Sequence, residues 1–437
     1  MVTREPQLKR QVGLATAVAV IIGQVIGIGI FLVPAGMARA VGSPFWLLLI
    51  WLAIGFMTLC GALCYAELAA RFPEAGGSYI YLREAYGNGV AFLYGWMVLL
   101  VLDPGLTAIF AVGLASYAGF LLPLSPAGSH ALAIVTVLVI GLVTVLGTRV
   151  GTGFIRALTA LKIGTLAFII VFGFASGRGE IDNFRPFVTV PQDIFGALAG
   201  GIVGAFFAFA GWWEVTRMAG ELRDPQRDIP RMLVLGVLAL TIAYISTSAV
   251  FMYLVPLESA ATDEAFAALA GEALFGPGGG AVFASIVIVS VVGTLFAYLT
   301  VSPRVYYAMA QDGLFFRSVG QPHARFGTPH RATMIQMVLA SVLILTGTFD
   351  QILSYFFFVV VCFIALTVGG MFILRRRPFT GYRTPLYPLT PIVFLVLSVI
   401  VLFLVGMRNP VETLVGVGVV SLGIPVYRLF KLKKGSL

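Results

Sequence analysis

Apolar runs long enough to cross a lipid bilayer recur along the whole chain of 437 residues. A helix needs about 20 apolar residues to span the hydrocarbon core. Only 11% of the residues are charged, whereas 59% are hydrophobic. Because a backbone that crosses lipid must satisfy its hydrogen bonds internally, these runs predict helices. The sequence therefore predicts an all-α polytopic membrane protein.

The apolar runs predict about twelve transmembrane helices joined by short connections. They cover approximately residues 12–40, 44–71, 89–118, 130–148, 154–176, 193–218, 229–255, 279–311, 331–348, 350–374, 388–407 and 411–429.

The placement of the basic residues predicts the orientation of these helices. With the N-terminus in the cytoplasm, 23 of the 28 Lys and Arg residues fall on the inner side. Four fall on the outer side (Arg39, Arg178, Arg185 and Arg408), and Lys162 lies within a span. Under the positive-inside rule this bias predicts a multi-pass protein of the plasma (inner) membrane with both termini cytoplasmic. The net charge of +9 thus reflects topology, so the lipid bilayer is an expected partner and nucleic acid is not.

The first predicted span contains three glycines near its centre, Gly23, Gly27 and Gly29. Each glycine costs a helix about 1 kcal/mol relative to alanine, and an opened backbone in lipid costs more. An unwound stretch here would present amide protons from the helix that follows it and carbonyls from the helix that precedes it. Those dipoles suit a carboxylate beside an ammonium, as in an amino acid. The alternative is close helix packing through Gly23 and Gly27.

A second interruption is predicted in the sixth span, where Ala210-Gly211 lies among bulky aromatic residues and Glu214 follows at membrane depth. Broken first and sixth helices imply two five-helix repeats. An odd number of helices inverts the second repeat, and the site lies between the broken helices. We therefore expect five-helix repeats over residues 12–176 and 193–374.

The remaining segments complete the predicted organisation. Residues 1–11 and 430–437 are expected to be cytoplasmic, and residues 385–429 are expected to form two peripheral helices.

Five motifs occur in a fixed order over about residues 10–335. They are Gly27-Ile28-Gly29-Ile30-Phe31 with Pro34, Tyr65-Ala66-Glu67-Leu68 before Pro73-Glu74-Ala75-Gly76-Gly77, Phe207-Ala208-Phe209-Ala210-Gly211-Trp212, Asp224-Pro225-Gln226-Arg227-Asp228-Ile229-Pro230, and Ala308-Met309-Ala310-Gln311-Asp312-Gly313. In this order and spacing they resemble the amino acid–polyamine–organocation (APC) superfamily, and most of all bacterial relatives of the L-amino-acid transporter family. The resemblance implies a LeuT-type fold, which is a 5+5 inverted repeat with broken helices 1 and 6 and two peripheral helices.

On helix 1, the resemblance implies that the amides of Ile28, Gly29 and Ile30 bind the substrate carboxylate. It also implies that the carbonyl of Val25 accepts from the substrate amino group. Relatives often have a small hydroxyl residue where this chain has Ile28, so a side-chain donor is absent while the amides are retained.

On helix 6, the resemblance implies that the carbonyls of Phe207 and Ala210 also accept from the amino group. Phe207 would close over the substrate from the outside as a gate. A smaller polar or acidic residue is common in relatives where this chain has Trp213, so we expect Trp213 to form a pocket wall that restricts the substrate side chain.

Lys162 is a charged residue within the fifth predicted span, where it costs roughly 3 kcal/mol unless it reaches the membrane surface or pairs. Relatives have a lysine here whose ammonium lies between helices 1 and 8, at a position where sodium-coupled members of the wider fold hold a cation. Thr294 of helix 8 matches the hydroxyl residue that accepts from it. The resemblance thus implies a tethered cation and sodium independence. Snorkelling of Lys162 to the surface is the alternative.

Asp103 and Glu214 are acids predicted at membrane depth. Such residues are functional candidates, here for a substrate side-chain charge or for a proton. The alternative for Asp103 is a structural hydrogen-bond acceptor.

The chain is therefore predicted to be an amino acid transporter and not an enzyme. We expect sodium-independent alternating access, as an exchanger or a proton-coupled carrier of small to medium neutral L-amino acids. A cationic amino acid or polyamine carrier is the alternative. A channel would need a continuous polar stripe, whereas the predicted helices show only isolated polar residues. An enzyme would need a catalytic constellation, and the sequence indicates none at membrane depth. We expect no cofactor or metal, and nothing in the sequence indicates an accessory subunit.

Overall fold

A computed structural model describes residues 13–74, 76–146, 152–257, 259, 266–302, 304–321, 323, 328–346 and 349–435. Throughout these residues the regular elements are helices, which confirms the all-α prediction. The predicted cytoplasmic segment 1–11 lies outside the described residues, as do the last two residues of the predicted tail.

The structure contains nineteen described α-helices, one π-helix and two 3₁₀ helices. The α-helices are α1 (Leu14–Val25), α2 (Gly29–Val41), α3 (Pro44–Arg71), α4 (Ser78–Tyr86), α5 (Asn88–Met97), α6 (Asp103–Leu121), α7 (Pro126–Val145), α8 (Thr152–Ala175), α9 (Ile194–Phe209), α10 (Pro225–Leu254), α11 (Phe266–Phe275), α12 (Gly279–Val301), α13 (Arg304–Gln311), α14 (Arg317–Gly320), α15 (His330–Thr346), α16 (Phe349–Leu374), α17 (Leu389–Arg408), α18 (Pro410–Ser421) and α19 (Gly423–Gly435). The π-helix is Val98–Leu102, and the 3₁₀ helices are Ile181–Phe184 and Glu214–Glu221.

Among the described residues, nine helical segments are long and apolar enough to span a membrane. The bent pair α1 and α2 would be a tenth, and Ala160–Ala175 and His330–Thr346 are shorter apolar helices. Together they match the twelve predicted spans. Large apolar side chains such as Val171, Phe403 and Leu345 are exposed on the outside of the bundle, as expected for surfaces that face lipid.

Both predicted interruptions are present. The helical axis bends by 43° between Ala17–Val25 and Gly29–Val41. In the sixth span, α9 ends at Phe209, and a 3₁₀ helix begins at Glu214 after a turn. Gly211 within that turn has a φ of +102°, a conformation that side-chain-bearing residues rarely adopt.

The helices of the two predicted repeats pack against their counterparts. Extensive contacts pair α3 with α10, α2 with α9, α6 with α12 and α7 with α15, and in each pair the two helices stand five spans apart. An approximate twofold relation between two halves would produce this pairing.

The third predicted span has a local irregularity that periodicity did not indicate. The Asp103 amide donates to the Val98 carbonyl five residues earlier, so a wide π turn joins α5 to α6. Pro104 follows at once, and a proline in a regular helix clashes with the carbonyl four residues before it. The wide turn accommodates that ring and places Asp103 in the interior.

The structure has two short helices in segments that the sequence predicted to be connecting loops. The polar stretch after the second span folds as α4, introduced by Gly76 and Gly77, which have φ of 132° and 55°. The connection before the eighth span contains α11. The eighth span itself ends at Val301, so the prediction of one helix over residues 279–311 was wrong. Helices of about ten residues are too short for hydropathy to separate them from loops.

Candidate functional site

The two interruptions face each other across a small enclosed cavity. Its volume is about 20 Å³, which accommodates about one water molecule. The cavity is lined by residues of the broken helices and of α6 and α12: Gln24, Val25, Gly27, Gly29, Leu106, Phe110, Phe207, Ala208, Ala210, Gly211 and Tyr298. An amino acid is much larger than this space, so the surrounding helices must separate to admit one.

The helix 1 side of the cavity offers backbone amides. Phe31 and Leu32 donate back to the Ile28 carbonyl, as the first turn of α2 requires. Among the described residues, the amides of Ile28, Gly29 and Ile30 donate to no carbonyl. The first amides of a helix have no partner within it, and together with the helix dipole they form an anion site.

Gly29 also allows the two broken helices to approach each other closely. A Cβ atom on Gly29 would lie 2.8 Å from the Cα of Ala208 in α9. A Cβ atom on Gly27 would lie 3.3 Å from the Phe110 ring and 3.4 Å from the Thr294 methyl. The glycine cluster therefore serves close packing as well as the unwound backbone, so both interpretations of it have a structural counterpart.

The helix 6 side is closed by its own tight turns. The Ala210 amide donates to the Phe207 carbonyl at 2.9 Å, and the Glu214 amide donates to the Gly211 carbonyl at 3.1 Å. Phe207 is buried, and both Phe207 and Ala210 line the cavity. Trp213 lies outside the lining and packs on Phe206 with ring centroids 6.2 Å apart.

Lys162 reaches across from α8 to the first interruption. Its side chain is 4% exposed, and its ammonium donates to the Gly23 carbonyl at 3.2 Å and to the Thr294 hydroxyl. Thr294 in turn donates to the Ser290 carbonyl at 3.1 Å. The ammonium therefore joins three helices beside the interruption, and in this structure it does not extend to the membrane surface.

Asp103 lies beneath the cavity and accepts hydrogen bonds from two tyrosines. The Tyr298 hydroxyl donates to Oδ1 at 2.7 Å, and the Tyr306 hydroxyl donates to Oδ2. Tyr298 also lines the cavity, so it connects Asp103 to the cavity wall. This arrangement matches the structural alternative for Asp103.

Glu214 forms a buried ion pair with Arg217, one turn along the 3₁₀ helix. The guanidinium lies 2.6 Å from the carboxylate, and both side chains are at most 1% exposed. The charge of Glu214 is thus balanced within the protein. Sequence reasoning counted Arg217 among the basic residues of the inner side, at the end of the predicted span 193–218, and missed this role.

Polar clusters also join the helices on the side where α3 ends. The Glu67 carboxylate accepts from Arg375, which directly follows α16, at 2.9 Å and from the Thr384 amide at 2.8 Å. Asp312 accepts from Tyr79 at 2.7 Å and from Arg83. Burial and the Asp312 carboxylate raise the pKa of Tyr79, so its phenol remains a donor. These contacts close the bundle on that side of the cavity.

The structure thus brings some of the predicted site residues together and leaves others outside the cavity lining. Val25, Gly29, Phe207 and Ala210 line the cavity. The predicted residues outside the lining are Ile28, Ile30, Trp213, Lys162, Thr294, Asp103 and Glu214.

Two residues at the site were missed by sequence reasoning. The Tyr244 hydroxyl lies 2.7 Å from the Ala208 carbonyl and 3.2 Å from the Val25 carbonyl, so it contacts both broken helices. Gln24 is 9% exposed and lines the cavity. The glutamine stands beside the glycine cluster in an otherwise apolar span, and that signal could have identified it.

Comparison with known proteins places the chain among carriers of amino acids. A sequence profile described as amino acid permease matches residues 12–420. The serine/threonine exchanger SteT of Bacillus subtilis is 30% identical over 447 residues, covering 100% of both chains. The human large neutral amino acids transporter small subunit 2 is 29% identical, covering 97% of this chain and 80% of its own. The mouse b(0,+)-type amino acid transporter 1 is 27% identical, with 97% and 88% covered.

Proposed function

This chain belongs to the amino acid permease family, and from that premise we propose that it carries small to medium neutral L-amino acids across the membrane by alternating access, independently of sodium. The observation that carries the proposal is the closed cavity between two helix interruptions, where Gly29 lines one wall and its amide, like those of its neighbours Ile28 and Ile30, donates to no carbonyl among the described residues. The relatives are named as transporters or exchangers, which favours a carrier over an enzyme.

The proposed substrate position follows from the helix ends. The carboxylate binds the amides of Ile28, Gly29 and Ile30, where the dipole of α2 favours an anion. The amino group donates to carbonyls on the opposite sides of the cavity: Val25, Phe207 and Ala210. The Phe207 carbonyl already accepts one hydrogen bond, but a carbonyl oxygen has two lone pairs. The Phe207 ring acts as the gate, because it forms part of the cavity wall.

Sodium independence is supported by the position of the Lys162 ammonium. It supplies a fixed positive charge between the Gly23 carbonyl and Thr294. A second cation at the same place would experience strong repulsion in a low-dielectric environment. We favour exchange over proton-coupled uptake, as in the relative named an exchanger.

A neutral substrate is supported by the two buried acids. Arg217 balances Glu214, and two tyrosine hydroxyls donate to Asp103. A cationic side chain would have to compete with these partners. A cationic amino acid or polyamine remains the alternative substrate, and it predicts that neutralising Asp103 or Glu214 changes the substrate preference.

We also propose the orientation and organisation given by the sequence, namely a cell membrane protein with both termini cytoplasmic and repeats over residues 12–176 and 193–374. The pairing of α3 with α10 and of α6 with α12 supports the repeats. Labelling of single cysteines from either side of the membrane, placed at Arg185 and Arg428, tests the orientation. The first should react from outside and the second only after permeabilisation.

The function is tested with purified protein in liposomes and a panel of labelled amino acids. Liposomes loaded with a neutral amino acid should take up labelled serine, threonine or alanine, and empty liposomes much less. Replacing sodium with choline should leave the rate unchanged. Uptake of arginine or putrescine in place of neutral amino acids would support the alternative substrate. A strict requirement for sodium would refute the proposed coupling.

A further inference from the structure

Gln24 has a carboxamide at the cavity that the proposed backbone contacts do not use. It lies in the last turn of α1, one residue before the interruption, and is 9% exposed. Its Nε2 atom is buried and has no hydrogen-bond partner. Buried side-chain amides are normally paired, since an unpaired donor in an apolar interior is costly. The exception here occurs beside the space where the proposed function places a substrate.

The surroundings leave Gln24 as the cavity's available polar side chain. It runs past the second interruption, since a Cβ atom on Gly211 would lie 3.8 Å from its Cγ. The remaining side chains of the lining are apolar, apart from Tyr298. The Tyr298 hydroxyl donates its proton to Asp103 at 2.7 Å. A polar side chain of the substrate that enters the cavity therefore meets one side-chain donor without a partner, the Gln24 amide.

We propose that Gln24 selects the substrate side chain, favouring short amino acids that carry a hydroxyl, such as serine and threonine, over aliphatic amino acids of equal size. This inference rests on the proposed function. The backbone dipoles at the helix interruptions bind the carboxylate and amino group shared by all amino acids, so they cannot distinguish side chains. A hydroxyl accepts from the Gln24 amide, whereas a methyl group leaves that donor unpaired. A short side chain is favoured because the helices around this small cavity must separate to admit any substrate, and a short side chain requires the least separation.

The size of the preference follows from a single neutral hydrogen bond. We expect the wild-type protein to prefer threonine to valine, and serine to alanine, by about threefold to tenfold. Threonine and valine have nearly the same shape, so their ratio isolates the hydroxyl. Gln24→Met keeps an unbranched side chain of similar length but removes the amide, and the ratio should then fall to about one.

The experiment compares wild type, Gln24→Met and Gln336→Met in liposomes, using competition by threonine and valine against labelled serine. Gln336 is the matched control. It is a fully buried glutamine outside the cavity lining, and its amide donates to Thr107 at 2.9 Å and accepts from Ser302 at 2.8 Å. Gln336→Met should lower the melting temperature and preserve the threonine-to-valine ratio. Gln24→Met should leave the melting temperature unchanged or raised, because it removes an unpaired amide.

The outcomes separate this inference from the proposed function. Loss of the threonine preference in Gln24→Met alone supports the inference. Equal weakening of threonine, valine and serine would show that Gln24 binds the shared backbone, and it would overturn the inference while the proposed function stands. Equal affinity of the wild type for threonine and valine would also overturn it. A wild type that carries no amino acid would contradict both. If Gln24→Met does not fold, stabilisation of the wild-type protein by threonine and by valine against heat gives the same ratio.

Discussion

The interruptions of helix 1 and helix 6 form the same cavity but are stabilised in different ways. At helix 1, the Lys162 ammonium of α8 donates a hydrogen bond to the Gly23 carbonyl. At helix 6, the backbone closes on itself, since Ala210 donates to Phe207 and Glu214 donates to Gly211. Helix 1 is therefore held by a charged side chain of another helix, whereas helix 6 is held mainly by local turns and by a glycine with positive φ, to which Tyr244 of α10 adds one hydrogen bond at the Ala208 carbonyl.

This difference indicates where conformational coupling should occur. A break that depends on a charged side chain of another helix changes when that helix moves, and a turn closed mainly by its own backbone changes less. We therefore expect substitutions at helix 1 and its partners to impair transport most. Substitutions around helix 6 should act mainly through contact with the substrate.

The largest effect is expected for Gly29→Leu, which should abolish uptake. A side chain on Gly29 meets the Ala208 backbone, so the two broken helices must separate and the amides of α2 become obstructed. Gly119→Leu is the control, because a Cβ there has no atom within 4 Å. Uptake by proteoliposomes and binding by thermal stabilisation measure the two losses. Normal uptake by Gly29→Leu would show that the site is not at helix 1.

Lys162→Ala should reduce transport by at least about tenfold. It leaves the Gly23 carbonyl and the Thr294 hydroxyl without their buried donor, and each unpaired group costs about 1–3 kcal/mol. Substrate binding should fall less than transport, because the cavity lining is intact. Thr294→Val removes one of the two contacts and should have a smaller effect. A normal rate for Lys162→Ala, or sodium-dependent uptake by the wild type, would refute the tethered-cation interpretation.

The same contrast explains how far the sequence could predict the site. The glycine cluster and the Ala210-Gly211 pair indicated both breaks, because backbone departures in lipid leave a signature in composition. The groups that stabilise helix 1 come from distant positions, and only the resemblance connected Lys162 with Thr294. Tyr244 and Arg217 carried no local signal, since their roles depend on packing across helices.

The fold was predicted well where hydrophobicity decides the structure and poorly where single residues do. Long apolar spans such as α3 and α10 were recognised because their burial in lipid or protein requires apolar residues. The π turn at Val98–Leu102 depends on one proline, and the amphipathic helix α4 has the composition of a loop. Trp213 was expected to form a pocket wall, but its ring packs on Phe206 outside the cavity lining. The direction of a single side chain is not determined by the sequence.

Phe207→Ala should lower the transport rate several-fold and substrate binding less. The ring supplies apolar contact on the helix 6 side of the cavity, and a gate contributes most when it is closed. The control is Phe403→Ala, since Phe403 is 61% exposed on the outside of the bundle. Rates and affinities measured on the same preparation separate the two effects. If Phe207→Ala loses neither, the ring serves only packing.

Tyr244→Phe is expected to have the smallest effect, and it tests a side chain that contacts both breaks. A hydroxyl has a single proton, so Tyr244 donates mainly to Ala208, the nearer carbonyl, while Val25 stays within reach. Its loss should cost about 1 kcal/mol of stability and reduce transport about threefold. Tyr117→Phe is the matched control, because the Tyr117 hydroxyl donates at 2.9 Å to the Phe31 carbonyl on helix 1. Both variants should melt at similarly lowered temperatures, but only Tyr244→Phe should transport more slowly. Equal rates in the two variants would mean that the breaks are not coupled through Tyr244, and coupling would then depend on the Lys162 contacts of helix 1.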